Sequence, residues 1–144
     1  MNAFFISCNP PRSTAQSTKR IGVRKDGKPF SFTTAKGKQQ EADFMSLLMP
    51  HVPEKPCEGP LKLTIIYKLP FLSNEKKAVK ERGWEYHIKK PDSDNLLKLF
   101  QDTMGKLLFW NDDAQVVELA MMKIRHQQPG IYVHLIEIDE TDRG

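Results

Sequence analysis

The stretch "DNLLKLFQDTMGKLL", residues 94–108, constrains the fold more than any other. Leu97, Phe100, Met104 and Leu108 recur at helical spacing, with Leu96 and Leu107 beside them. One side of this helix is therefore apolar and needs a layer to cover it. Strands nearby can supply that layer. In "LKLTIIYKL" (61–69), Leu61, Leu63, Ile65, Tyr67 and Leu69 share one face of an extended segment. "AQVVELAMMKIRH" (114–126) and "IYVHLIEI" (131–138) read as two further strands joined by the turn "QQPG".

The rest of the chain is compatible with that arrangement. "AFFISC" (3–8) is a short strand candidate, and "TTAKGKQQEADFMSLLM" (33–49) reads as a helix. Ala42, Met45, Leu48 and Met49 lie on one side of that helix, and Pro50 and Pro53 stop it. Residues 9–30 form a long basic loop, in which Lys25-Asp26-Gly27-Lys28 can turn a small hairpin between "RIGV" and "PFSF". A short helix over 74–82 precedes an extended "WEYHIKK". The expected fold is a single α+β domain over residues 1–144, a mixed sheet with helices packed against it. A hydrophobic fraction of 39% is enough for a core of that size.

Charge gives the first hint of a partner. The net charge is only +4, but it is unevenly spread. Residues 12–38 carry Arg12, Lys19, Arg20, Arg24, Lys25, Lys28, Lys36 and Lys38 against one acid, Asp26. Residues 76–90 add Lys76, Lys77, Lys89 and Lys90 among six basic and two acidic side chains, whereas the tail from Glu137 is acidic. Long cationic side chains of this kind suit contact with a phosphate backbone, although a charge run also suits a solvated surface. Cys8 and Cys57 have no metal-ligand spacing and are expected as free thiols in a reducing cytoplasm. "FFISC" is too short for an export or membrane segment.

Two acidic pairs carry the candidate chemistry. In "KKPDSDNLLK" (89–98), Asp92 and Asp94 open the confident helix and Lys98 lies one turn after Asp94. In "WNDDAQVV" (110–117), Asp112 and Asp113 stand in a turn before a strand. The plain reading is that Asp92 or Ser93 caps the helix, Lys98 pairs with Asp94, and "NDD" is a polar turn. The functional reading is that the acids converge on one Mg²⁺ and Lys98 faces a phosphate. It requires the chain to double back until Asp113 lies beside Asp92. The four histidines, 51, 87, 126 and 134, lack zinc spacing and read as structural or surface residues. Trp84 and Trp110 read as apolar anchors. No nucleophile elbow, Walker loop or dinucleotide fingerprint is present.

"DSDNLLKLFQDTMGKLLFWNDDAQVVEL" (92–119) resembles the core of the RusA-type Holliday junction resolvases. The shared pattern is Asp-x-Asp-Asn-Leu, a lysine four residues after the second Asp, an apolar helix, and an aromatic turn ending in Asp-Asp before a valine-rich strand. "FSFTTAKGKQQEADF" and the last two strands resemble the family more loosely, and the start "NPPRSTAQSTKRIGVRKDGK" is longer than in many members. The resemblance implies a RusA-like fold and catalytic Asp92, Asp94, Asp113 and Lys98. Asn95 would be a supporting residue and Asp112 an additional ligand candidate. It implies Mg²⁺, with Mn²⁺ able to substitute. It also implies a homodimer that resolves four-way DNA junctions by paired nicks in opposing strands, in recombination and repair, in a bacterial or phage-infected cytoplasm. An inactive branched-DNA-binding protein and a broader branched-DNA or flap nuclease are the alternatives.

Overall fold

The computed structural model describes residues 2–12 and 19–139, except for the side chains of Lys19, Arg20 and Thr33. Five strands form the main sheet: β1 (Asn2–Ser7), β4 (Leu61–Leu69), β5 (Trp84–Tyr86), β6 (Val116–His126) and β7 (Gly130–Glu137), in the order β1-β7-β4-β6-β5. The β4–β6 pair is parallel and the other pairs are antiparallel, so the sheet is mixed. A parallel pair needs a crossover. Here the crossover contains α2 (Lys77–Arg82), β5 and α3 (Ser93–Lys106). β2 (Lys19–Val23) and β3 (Pro29–Thr33) make a separate hairpin, followed by α1 (Ala35–Leu48).

The hairpin lies where its turn residues predicted it. Arg24 N donates to Lys28 O and Gly27 N to Arg24 O, both at 2.9 Å. Gly27 has φ +84°, which a glycine adopts without steric cost. Residues 9–30 are therefore part strand rather than wholly loop.

β4 is the centre of the core. Leu61, Leu63, Ile65, Tyr67 and Leu69 are all buried, as their alternation predicts. Ile131, Val133 and Leu135 of β7 continue that face, and α1 and α3 cover it. Phe44 of α1 meets Phe100 of α3 edge to face, with ring centroids 4.6 Å apart. Phe100 also stands edge-on to Tyr67. Truncating an aromatic in such a position typically costs about 3–5 kcal/mol.

Two predicted helix faces shift. In α1 the buried residues are Gly37, Phe44 and Leu48, while Met49 is 55% exposed. The helix rotates so that its one aromatic residue enters the core. In α3 the buried set is Leu96, Phe100, Thr103 and Met104. Leu108 lies beyond the helix with φ +65° and is 56% exposed. The chain turns there, and Phe109 and Trp110 fill the core instead. "WEYHIKK" is a strand only over Trp84–Tyr86. Among the described residues no helix is long and apolar enough to cross a membrane.

Candidate active site

The first acidic pair lies at the start of α3. Pro91 is buried after a cis Lys90–Pro91 peptide, and Asp92 occupies the helix N-cap position in extended backbone. Its side chain makes no capping hydrogen bond. An aspartate at an N-cap normally accepts from a free helix amide, so this carboxylate is left available for another partner. Asp94 Oδ1 accepts from Asn95 N at 3.0 Å and is otherwise exposed. Lys98 is exposed one turn on, and among the described residues it forms no ion pair. The capping and ion-pairing roles of the plain reading are therefore absent at Asp92 and Lys98.

The segment that delivers Asp92 is held by a buried polar relay. Arg125 of β6 grips Glu75 through Nε–Oε2 at 2.8 Å and Nη2–Oε1 at 3.1 Å. These bonds lower the Glu75 pKa and raise that of Arg125. His87 is buried between Arg125 Nη1, 3.4 Å from its Nδ1, and Lys90 O, 2.8 Å from its Nε2. Those partners assign a neutral ring that donates from Nε2 to the carbonyl and accepts at Nδ1. Burial pushes the His87 pKa down, and the charges of Lys123 and Arg125 reinforce the shift. Lys123 Nζ donates to Lys89 O at 2.9 Å and Pro91 O at 2.7 Å. Glu75, Lys123 and Arg125 escaped the sequence reading because each looks like an ordinary surface charge. His87 was read there only as one of four structural or surface histidines.

The second pair is at the far end of α3. Asp112 caps a 3₁₀ turn over Asp113–Gln115, accepting from Ala114 N at 2.8 Å. Gln115 closes the box by accepting from Asp112 N at 2.8 Å, and its amide donates to Cys57 O and Gly59 O. Asp113 Oδ1 accepts from the indole Nε1 of buried Trp110 at 2.7 Å. Gly105 of α3 lies directly beneath that carboxylate, and any Cβ there would collide with it. Asp102, Gly105, Lys106, Asn111, Asp112 and Asp113 line a shallow open depression.

The two acidic pairs do not meet within one chain. Asp113 sits against Gly105, thirteen residues along the helix from Asp92, which at ~1.5 Å per residue is about 20 Å. β6 gives a similar span: Pro91 is tied to Lys123, whereas the Asp113–Gln115 turn immediately precedes Val116, and seven strand steps make ~23 Å. The doubling back of Asp113 to Asp92 that the functional reading requires does not occur within one chain, because the continuous helix α3 lies between them. Among the described residues, no three His, Cys, Asp or Glu side chains converge to hold a metal. Asp92 and Asp94 alone still suit Mg²⁺, which commonly takes one or two carboxylates and fills its other positions with water and phosphate oxygen.

The predicted basic residues form several groups. Arg24, Lys25 and Lys28 are exposed on the hairpin, with Arg12 before it and Lys36 and Lys38 on α1. The side chains of Lys19 and Arg20 lie outside the described residues. Lys76 and Lys77 begin α2, where Lys77 pairs with Glu81 at 3.9 Å. Lys89 and Lys90 are exposed immediately before Asp92.

Comparison with known proteins bears on this α+β domain with its acid-and-lysine helix. The family model described as "Endodeoxyribonuclease RusA" matches residues 11–136. The chain belongs to that family. It is 30% identical over 127 residues to the "Crossover junction endodeoxyribonuclease rusA" of Lactococcus phage r1t, covering 87% of this chain and 90% of the relative. It is also 30% identical over 129 residues to the uncharacterized protein YqaN of Bacillus subtilis, covering 86% and 89%.

Proposed function

We propose that this protein is a Mg²⁺-dependent endodeoxyribonuclease that resolves four-way DNA junctions by nicking opposing strands, as a homodimer in the cytoplasm, during recombination and repair. One observation carries the reading: Asp92, Asp94 and Lys98 stand together at the start of α3 with an uncapped carboxylate and an unpaired ammonium. The family and the phage relative supply the substrate class.

Each residue then has a task. Asp92 and Asp94 hold the ion, and Asn95 keeps Asp94 oriented through its backbone amide. When bound, Mg²⁺ supplies positive charge that activates water and offsets charge growing on the phosphate. Lys98 donates to a non-bridging phosphate oxygen as that charge develops. Asp113, with Asp112 beside it, lies about 20 Å from that ion within one chain, so this pair serves it only as carboxylates from the second subunit of the homodimer. The basic groups from Arg12 to Lys38, with Lys76, Lys77, Lys89 and Lys90, hold the backbones of the junction arms by charge and shape.

The test is cleavage of synthetic four-way junctions. Cutting should require Mg²⁺ or Mn²⁺, stop in EDTA, and be much weaker on duplex of the same sequence. Equal cutting of flaps or forks would favour the broader nuclease. Junction binding without any cutting would favour an inactive binding protein.

A further inference from the structure

The segment that leads into Asp92 is held by its backbone rather than by its side chains. Ile88 is 90% exposed, and the side chains of Lys89 and Lys90 also stand in solvent. Of the four residues before Asp92 only Pro91 is buried. Yet three consecutive carbonyls, those of Lys89, Lys90 and Pro91, each accept from a side chain. Lys123 Nζ donates to the first at 2.9 Å, His87 Nε2 to the second at 2.8 Å, and Lys123 Nζ again to the third at 2.7 Å. His87 is itself tied to Lys123, its N donating to Lys123 O at 3.0 Å. Lys123 is the hub of the arrangement.

The surroundings of Lys123 do not explain a lysine there. On β6 it shares one face with Met121 and Arg125. Met121 packs against the core, and Arg125 grips Glu75. Lys123 is half-buried, and among the described residues its ammonium has no carboxylate partner. An apolar side chain beside Met121 would avoid the cost of desolvating that charge.

The bonds reach Asp92 through the planar peptide. Pro91 O and Asp92 N belong to one rigid unit, so anchoring that oxygen anchors the plane from which Asp92 departs. On the other side, Asp92 O accepts from Leu96 N at 3.1 Å, which anchors the next plane. The Asp92 Cα therefore lies between two fixed planes, while its carboxylate makes no capping bond. A side chain held at its root and unengaged at its tip is what a metal ligand requires.

We propose that Lys123 is a positioning residue: through the Lys89 and Pro91 carbonyls, with His87 supporting Lys90, it sets the Asp92 carboxylate for the divalent ion. This role rests on the functional reading above. It acts on metal uptake, not on the grip on DNA.

Lys123→Met tests it, since it removes both bonds and keeps a long side chain. Mg²⁺ is titrated into the protein without DNA and followed through the amide resonances of Ser93, Asp94 and Asn95. The apparent Mg²⁺ dissociation constant should rise about 10-fold or more, the usual effect of losing a residue that orients a ligand. Junction cleavage should need correspondingly more Mg²⁺, while junction binding in EDTA stays at the wild-type level. Lys123→Arg, which can still donate to carbonyls, should recover most of the Mg²⁺ affinity. Unchanged Mg²⁺ affinity in Lys123→Met, beside a wild type that cuts, overturns the positioning role and leaves the functional reading standing. So does an arginine variant as weak as the methionine one. A Lys123→Met chain unfolded at the titration temperature also overturns it, because the residue then serves the fold itself. A wild type that neither binds Mg²⁺ nor cuts overturns the functional reading, and the positioning role with it.

Discussion

Asp92 and Asp113 mark the two ends of one helix, about 20 Å apart at the ~1.5 Å rise of an α-helix. Asp92 lies before its first turn, while Asp113 leans on Gly105 in its last. Residues brought together in a sequence motif are thus held apart by the rigid element between them.

Removing either end should stop cutting without loosening the DNA. Asp94→Asn and Asp113→Asn should each lower junction cleavage at least ~100-fold, while binding by gel shift changes little. Lys98→Met should cost ~100-fold or more in cleavage, the usual effect of losing one charge-stabilising donor. A Lys98→Met enzyme cutting at the normal rate would remove the lysine from the chemistry.

Gly105→Ala separates stability from activity. Alanine favours a helix by about 1 kcal/mol over glycine, but here its Cβ displaces the Asp113 carboxylate from Trp110. The variant should melt near the wild-type temperature and cleave at least ~10-fold more slowly. Unchanged cleavage would show that the Asp113 position does not matter.

Glu75→Gln should strip the partner from a largely buried Arg125, whose side chain is 12% exposed. Loss of one member of such a pair costs about 3 kcal/mol, or ~10 °C in melting temperature for a chain of this size. Calorimetry checks this. A shift under ~2 °C would mean that solvent replaces the carboxylate without penalty.

Stability should also fall on mild acidification. Burial lowers the pKa of His87 and of His126 below 6.5. The folded state therefore binds fewer protons than the unfolded chain. The stabilisation is complete above pH 6.5 and is lost as pH falls toward the folded values. Protonated His87 would turn an N–H toward Arg125. His87→Gln should flatten the melting-temperature profile between about pH 7 and 5.5. An unchanged slope would assign the effect elsewhere.

Much of the fold was legible from local pattern. The alternation in Leu61–Leu69 and the helical spacing around Phe100 each match an observed element, because side-chain period is set by backbone geometry. The Asp-Gly turn was legible because few residues tolerate its φ. The exact buried faces were not. Phe44 displaced Met45 and Met49 from the core because of what it meets on α3, a contact between residues far apart in sequence.

The site divides along the same line. The sequence by itself determined its chemistry: the residue types and spacing of Asp92, Asp94, Lys98 and Asp113, with the family they signal. Only the tertiary structure decided which of them are neighbours. It set Asp113 against Trp110 and Gly105, tied Pro91 to Lys123, and spanned the gap with a continuous helix. Spacing along a chain becomes distance only through the elements that fill it. Here a helix of 14 residues keeps the acids apart.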